Sequence, residues 1–223
     1  MKASWLVMIL CGLLSGCGSG LPGRSAGQSG GDCPFSRNVT QVQLSLIDQQ
    51  MAEGKYYSAL ASLDGLGDDS VRARLLRADL LRLLGHAQEA ERLYLPLQQG
   101  CLEGPAQHGL ALLYAERNDL ARSVRHFRLA VAASPTDTGI RNDFGFVLLS
   151  LGHYQQARLQ LMTALELAPE HQVAARNLWF LLLKEGEQVA ADSLAHRFGW
   201  GEQDRRRFAV AAAHFQPLHR GTL

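Results

Sequence analysis

The sequence predicts an all-α fold, a solenoid in which about five antiparallel helix pairs stack in a row and a C-terminal helix caps the open end. Three observations predict it: a period of 33 or 34 residues, small residues at the same places in each period, and a proline at the end of two periods. The period is visible when LLGHAQEAERLYLPL, ERNDLARSVRHFRLA and SLGHYQQARLQLMTA are aligned, because Gly85, Asn118 and Gly152 then coincide. No strands are expected.

Each place in the period holds a residue type that helix packing explains. Small side chains let the two helices of a unit approach closely, and larger ones fill the space to the next unit. Pro135 and Pro169 lie 34 residues apart, each where a second helix should end, because proline cannot continue a helix. The small residues are Ala78, Ala111 and Gly145 in first helices and Ala90, Ser123 and Ala157 in second helices, and the larger ones are Tyr94, Phe127 and Leu161.

These residues together resemble the tetratricopeptide repeat, whose unit of about 34 residues is a pair of antiparallel helices. The resemblance implies a right-handed solenoid. Residues 202–215, EQDRRRFAVAAAHF, are predicted to form the capping helix that the last repeat requires. The predicted solenoid spans residues 39–215, with repeats at 40–70, 71–103, 104–137, 138–171 and 172–198, and a tail follows at 216–223.

The first sixteen residues, MKASWLVMILCGLLSG, describe an export signal, with a positive start and a short apolar middle. The apolar run is too short to span a membrane, which takes roughly 20 residues. Leu14-Ser15-Gly16-Cys17 resembles the lipobox of bacterial lipoproteins. The resemblance implies a signal peptide at 1–16, a diacylglycerol on the Cys17 sulfur, and, because Gly18 follows rather than Asp, a lipid anchor at the periplasmic face of the outer membrane. The alternative is an ordinary signal with a chance cysteine.

Residues 17–38 are predicted to be the lipidated cysteine and a flexible tether. The segment 18–32, GSGLPGRSAGQSGGD, contains six glycines and three serines, too little apolar surface to fold. Cys33 and Cys101 are candidates for a disulfide that joins the end of the tether to the solenoid, since exported proteins occupy an oxidising compartment. Two unpaired thiols are the alternative.

Composition and motifs argue against several functions. The chain has 22 basic and 21 acidic residues, so its overall charge does not favour nucleic acid as a partner. It contains no H-E-x-x-H, no G-x-S-x-G, no P-loop and no Cys/His cluster with zinc spacing. We therefore predict that the protein is not an enzyme and has no metal, no cofactor beyond the covalent lipid, and no small-molecule substrate.

The predicted function is protein binding in the groove formed by the first helices. Within it, five apolar residues are expected to form a strip, with Asn142 and Arg176 beside it as polar anchors, a surface suited to an amphipathic helix or apolar peptide. The alternative, that some of these side chains are core, is equally open for Phe180 and Leu183. The predicted groove residues are Arg82, His108, Leu112, Asn142, Phe146, Leu149, Arg176, Phe180 and Leu183, with Leu75, Asp79 and Ala115 on the same face.

Residues 134–186 resemble a narrower family, the TadD-type tetratricopeptide lipoproteins of tight-adherence (Flp) pilus systems. The points of likeness are Pro135-Thr136-Asp137, Arg141-Asn142-Asp143-x-Gly145 and Ala175-Arg176-Asn177-Leu178, together with the lipobox. The resemblance implies a role in Flp pilus assembly, with the outer-membrane secretin as partner and a pilotin-like mechanism. The alternative is a lipoprotein scaffold for type IV pili, outer-membrane protein insertion or peptidoglycan synthesis.

Overall fold

The computed structural model describes residues 39–218, and in that range the chain forms eleven α-helices and no strand. Residues 1–38, with the predicted signal peptide, Cys17 and Cys33, lie outside the described range, as do residues 219–223. The helices are α1 (Val39–Ala52), α2 (Tyr56–Leu66), α3 (Val71–Leu83), α4 (Ala87–Tyr94), α5 (Glu103–Glu116), α6 (Leu120–Ala133), α7 (Thr138–Ser150), α8 (Tyr154–Leu167), α9 (Gln172–Lys184), α10 (Gln188–Arg197) and α11 (Glu202–His214), and a 3-10 turn, Leu95–Leu97, follows α4.

The helices pair in the predicted order. Each odd-numbered helix from α1 to α9 packs against the even-numbered helix that follows it. Among the first helices, α1 also contacts α3, α3 contacts α5, and α7 contacts α9. Five helix pairs therefore stack in sequence, and α11 packs on α9 beyond the last pair. The predicted fold class, an all-α solenoid of about five helix pairs with a capping helix, is confirmed.

Polar caps and left-handed turns set the helix boundaries. The Asp137 carboxylate accepts a hydrogen bond from the backbone N–H of Ile140 at the start of α7, where the first backbone donors have no partner within the helix. Between α7 and α8 the chain turns at Gly152, with φ of 79°. The equivalent Asn118 has φ of 58°, and Asn is among the few residues with a side chain that tolerate this conformation.

The small residues of the repeat lie where the helices touch. Ala78, Ala111, Ala90, Ser123 and Ala157 have no exposed surface. A Cβ atom added at Gly145 would lie 2.7 Å from Cγ of Leu161, closer than carbon atoms approach, so α7 and α8 pack at a distance that only glycine allows. The periodic small residues are thus explained by close helix packing.

The core is divided along the solenoid into three clusters. One cluster joins α1, α2 and α3, a second joins α3, α4 and α5, and the largest extends from α5 to α10. Tyr94, Phe127 and Leu161 occupy the same place in three successive units and are fully buried. Each unit therefore buries its apolar face against its neighbours, as stacked repeats require.

The capping helix covers the last pair through aromatic contacts. The ring of Trp179 on α9 is 2% exposed, and its centroid lies 5.1 Å from that of Trp200 and 5.2 Å from that of Phe208 on α11. The predicted boundary between solenoid and tail at residue 215 does not mark the end of the packed chain. Pro217 lies against Gly152, and the backbone N–H of Leu218 donates to the Ser150 carbonyl at 2.9 Å.

Two further predictions concern the first part of the chain. Cys101 is disulfide-bonded, and its partner lies outside the described residues. Pairing of Cys101 with Cys33 therefore stays a prediction. None of the described helices has both the length and the apolar content that a membrane crossing needs.

Candidate protein-binding groove

The residues predicted to bind a partner lie on the first helices, and we call this side of α3, α5, α7 and α9 the groove face. Among the apolar residues predicted for the groove, Phe146 on α7 is the most exposed, at 53%. Arg176 on α9 is also exposed, and Leu112 on α5 is partly buried against the core. These three residues come from successive units, so an exposed surface of mixed apolar and cationic character runs along this face.

Two leucines predicted on the groove face, Leu149 of the apolar strip and Leu75 outside it, belong to the core instead. Leu149 and Leu75 are each only 3% exposed. Leu149 packs within the cluster that extends to α9, because α9 contacts α7 at this end of the solenoid. The apolar strip predicted from five residues therefore loses Leu149, and Phe146 is its most exposed member.

A polar ladder, made of side-chain pairs that each join two neighbouring first helices, follows the same face. Between α3 and α5, Nη1 of Arg82 lies 2.5 Å from Oε1 of Glu116. The two residues are 34 positions apart in the sequence, one repeat length. The Arg82 side chain is only 11% exposed, whereas that of Glu116 is 49% exposed, so a largely buried cation meets a solvent-accessible carboxylate and joins the two units.

The ladder continues through two more steps, in each of which the paired residues are 35 positions apart. Between α5 and α7, Nε2 of His108 lies 2.8 Å from Oδ2 of Asp143, a hydrogen bond whose donor depends on the imidazole tautomer. Between α7 and α9, the Asn177 amide donates to the Asn142 amide oxygen at 2.9 Å. Asn142 in turn donates to Oδ1 of Asp143 at 3.0 Å, which links the two steps.

The ladder changes the role of three predicted polar groove residues, one of which, Asn142, was predicted as an anchor. Arg82, His108 and Asn142 lie on the groove face as predicted, but each already has a side-chain partner in the neighbouring repeat. Asn142 is 6% exposed, so its role as a free polar anchor is corrected. Arg176 is the predicted anchor that is exposed to solvent.

Asp79 extends the polar surface into the second pair. The Tyr94 hydroxyl on α4 donates to Oδ1 of Asp79 at 2.6 Å. Burial raises the pKa of the Asp79 carboxyl, against the opposing effects of the Tyr94 hydrogen bond and the Arg82 charge. Burial and the Asp79 charge also raise the pKa of the Tyr94 hydroxyl, which keeps it a donor. This pair ties α3 to α4 and is structural in character.

The C-terminal end of the groove face is covered by the chain itself. The Phe215 ring lies edge-on to the Phe180 ring, with centroids 5.3 Å apart. Nζ of Lys184 donates to the Phe215 carbonyl at 2.7 Å and lies 3.3 Å from the Ala212 carbonyl. Phe180 and Leu183 are both partly buried and pack against the core, so the core contact that was the alternative is present for both, and Phe180 also contacts Phe215.

Sequence reasoning missed the last residue of each of the three first helices α5, α7 and α9 on this face. Glu116, Ser150 and Lys184 lie 34 positions apart and take part in contacts between elements. Their residue types differ, so no shared chemistry marks them. The repeat register alone, extended by one position beyond Ala115, Leu149 and Leu183, would have placed them on the groove face.

These features define a class of protein, a helical-repeat solenoid whose first helices present one face to a partner. Residues 140–171 match the family model described as tetratricopeptide repeat. A TPR repeat-containing protein of Pseudomonas aeruginosa is 33% identical over 207 residues, which cover 92% of this chain and 82% of that protein. The chain therefore belongs to the tetratricopeptide repeat-containing proteins.

Two solved structures share the fold. A thermophilic TPR protein of Thermus thermophilus superposes with a TM-score of 0.60 and 20% identity, covering 78% of this chain and 96% of that chain. The pilF protein of Pseudomonas aeruginosa gives a TM-score of 0.58 and 17% identity, covering 77% of this chain and 87% of that chain. At these identities the likeness concerns the fold alone. The narrower resemblance to the TadD type stays a prediction.

Proposed function

We propose that this protein is an outer-membrane lipoprotein that binds the secretin of a Flp pilus system and acts as its pilotin or assembly scaffold. The fold supports the general part of this role, because tetratricopeptide solenoids are protein-interaction scaffolds. The observation that carries it is the exposed Phe146 ring on the groove face, with exposed Arg176 on the next first helix. The secretin itself is inferred from the resemblance of residues 134–186 to the TadD type.

The partner segment should be apolar, with an acidic group near one end. A ring exposed as far as that of Phe146 gains most by burial against apolar side chains, and the cation of Arg176 favours a carboxylate nearby. An amphipathic helix or a short apolar peptide presents such a pattern. Binding requires no catalytic step, and the polar ladder between repeats keeps the face in a fixed shape.

The lipid anchor and tether complete the mechanism. Acyl chains on Cys17 hold the protein at the membrane, each contributing roughly 0.8 kcal/mol per buried CH₂ group. A 15-residue Gly/Ser segment at positions 18–32 gives the solenoid a mean reach of roughly 20 Å. The groove face can then find a secretin subunit beside the membrane and accompany it into the multimer.

The decisive experiment follows the secretin in cells that lack this gene. Outer membranes are fractionated and heat-stable secretin multimers are detected by blotting, in the deletion strain and in strains that express the wild type, Cys17→Ser or Phe146→Asp. We expect multimers only with the wild type. Loss with Cys17→Ser tests the anchor, and loss with Phe146→Asp tests the groove.

Other outcomes would redirect the assignment. If multimers form normally but pili are absent, the protein acts on a later component, and the secretin is not its partner. If multimers and pili are both unchanged in the deletion strain, the Flp assignment fails, and a different envelope machine is served. If Phe146→Asp restores multimers as well as the wild type does, the partner does not use this part of the groove face.

A further inference from the structure

The segment Phe215–Leu218 lies on the groove face as a bound peptide would. Its backbone is extended at the start, since Phe215 has φ of −66° and ψ of 131°. It leaves the end of α11, passes Phe180 and Lys184 on α9, and reaches Ser150 and Gly152 at the end of α7. The segment thus bridges two successive units on the side where the first helices are exposed.

Its contacts use the groups by which a groove recognises an extended peptide. One aromatic side chain, Phe215, packs against an aromatic ring of the groove. One backbone carbonyl, that of Phe215, accepts from Lys184 at 2.7 Å, and one backbone N–H, that of Leu218, donates to the Ser150 carbonyl at 2.9 Å. Recognition through main-chain groups does not depend on most of the ligand's side chains, so a different segment can take the same place.

The positions that hold this segment are repeat equivalents of the free part of the groove. Phe180 corresponds to Phe146 in the preceding unit, and Lys184 corresponds to Ser150, each 34 positions earlier. Phe146 is 53% exposed, whereas Phe180 is partly buried and contacts Phe215. The two aromatic rings therefore occupy the same place in their units, and only the second is covered by the chain.

The covering segment is attached weakly enough to be displaced. Phe215 and Pro217 are partly buried, whereas Gln216 and Leu218 are exposed. Few of the side chains in this segment contribute apolar burial, so its opening should require much less free energy than unfolding of the core helices.

We propose that Phe215–Leu218 is a resident occupant of the groove face that masks Phe180 and Lys184. A partner segment with an aromatic side chain and an extended backbone competes with it for this place. Occupation by the chain's own segment follows from the contacts alone, whereas competition with a partner rests on the proposed binding function. Phe180 and Lys184 become accessible only when a partner, or a change in the segment itself, displaces Phe215.

The test uses the segment as its own probe. A fluorescein-labelled peptide AHFQPL, the sequence of residues 213–218, is titrated with the purified full chain, and binding is followed by anisotropy. The wild type should bind it weakly, because the resident segment is held at a high effective concentration. Phe215→Ala should bind it about tenfold more tightly, because the resident aromatic contact is lost. Gln216→Ala, a change at an exposed neighbour, is the matched control and should behave like the wild type.

A second variant and a second measurement exclude trivial explanations. Phe180→Ala combined with Phe215→Ala should return the probe to weak binding, and undiminished binding would overturn the proposal because the probe would then be bound elsewhere. Hydrogen exchange should show protection of the Leu218 amide in the wild type and its loss in Phe215→Ala, with α9 still protected. An unprotected Leu218 amide in the wild type would also overturn it.

The outcomes separate this inference from the proposed function. If the probe and exchange results are as expected but Phe215→Ala leaves secretin multimers unchanged, the segment occupies the groove face without competing with the secretin. If wild type and Phe215→Ala bind the probe equally, the occupation itself is wrong, whatever the deletion strain shows for the secretin.

Discussion

Two phenylalanines on α7, two positions apart, show how one helix separates a core residue from a binding residue. Phe144 is 4% exposed, and its ring stacks on that of Phe127 with centroids 5.3 Å apart. Phe146 is 53% exposed on the groove face. Because residues two apart on a helix face in different directions, the same side chain type serves packing in one case and recognition in the other.

This contrast gives a matched pair of substitutions. We expect Phe146→Asp to keep the wild-type helicity and thermal midpoint, with a change in the free energy of unfolding of about 0.5 kcal/mol or less, as for most surface substitutions. Phe144→Asp should lose about 4 kcal/mol or more, since it buries a carboxylate without a partner. Circular dichroism during urea unfolding measures both. Comparable loss of helicity in the two variants would place Phe146 in the core.

Glu91 provides a residue-scale test of a contact between units. Its carboxylate on α4 accepts from the Tyr114 hydroxyl at 2.5 Å and from Nη1 of Arg117 at 2.6 Å, both at the end of α5 or just beyond it. The Tyr114 hydrogen bond, helped by Arg117, lowers the pKa of Glu91. A lowered folded-state pKa means that this contact stabilises the protein above the unfolded-state pKa, and the stabilisation is lost as the pH falls through the folded-state value.

We therefore expect Glu91→Gln to reduce the free energy of unfolding by about 1 kcal/mol at pH 7. At pH 3, below the unfolded-state pKa of about 4.3, the difference from the wild type should be smaller, because the wild-type carboxyl begins to be protonated. Urea unfolding at the two pH values measures it. Glu166→Gln, on the exposed side of α8, is the control and should show no such pH dependence. If Glu91→Gln lowered the free energy of unfolding equally at both pH values, the charge of the Glu91 carboxylate would not contribute to stability.

Among the helices, α11 depends most on a few contacts. It packs against α9, and its residue Phe208 meets the Trp179 ring at a centroid distance of 5.2 Å. Most of its other side chains are exposed, with Ala212 alone among them fully buried. A helix of 13 residues is marginal in isolation, so α11 should be ordered mainly by this aromatic contact.

Phe208→Ala should therefore detach α11 without unfolding the five pairs. We expect the solvent exposure of the Trp179 indole to increase, which would shift tryptophan emission to the red and strengthen quenching by acrylamide. The loss of helicity should be limited to about one helix. Val210→Ala is the matched control, because Val210 is 60% exposed on the same helix and should leave emission unchanged. Unchanged quenching in Phe208→Ala would mean that Trp200 and the α9 contacts cover Trp179 without α11.

At the scale of the whole molecule, the sequence was informative wherever the repeat register carries packing. The buried small residues, the turn at Gly152 and the capping helix follow from periodicity, because every unit meets the same steric requirements. The register also placed Phe146 on the groove face. The register failed for Leu149, because a position at the end of a first helix borders both the groove and the next unit. The contact between α7 and α9 buries its side chain.

Neither the polar ladder nor the contacts of Phe215–Leu218 could be predicted from one sequence, and the reasons differ. In the sequence, His108 and Asp143 have the character of ordinary surface residues, and only the folded structure pairs them across 35 positions. The contacts of Phe215–Leu218 have no counterpart elsewhere between residues 39 and 218, so no period predicts them. Packing that recurs in every repeat can be predicted from the sequence period. A contact between a repeat and a unique segment cannot, because it depends on where the folded chain places that segment.

The division of the core predicts that the solenoid does not unfold as one unit. Among the described residues, the cluster of α1, α2 and α3 shares α3 alone with the next core cluster, whereas the cluster from α5 to α10 connects most of the second half. In a linear array, stability is a sum of units and of contacts between neighbours, so the first pair can open while the later pairs remain folded.

Leu63 and Leu161 make a matched test, because each is a leucine with no exposed surface on a second helix. Each change to Ala should cost about 2–5 kcal/mol locally. In Leu63→Ala, hydrogen exchange should accelerate in α1 and α2 and leave α7 and α8 as protected as in the wild type. In Leu161→Ala, protection should fall together from α5 to α10, because that cluster is continuous. Exchange that accelerates uniformly along the chain in Leu63→Ala would mean that α3 transmits the loss and the solenoid unfolds as a single cooperative unit.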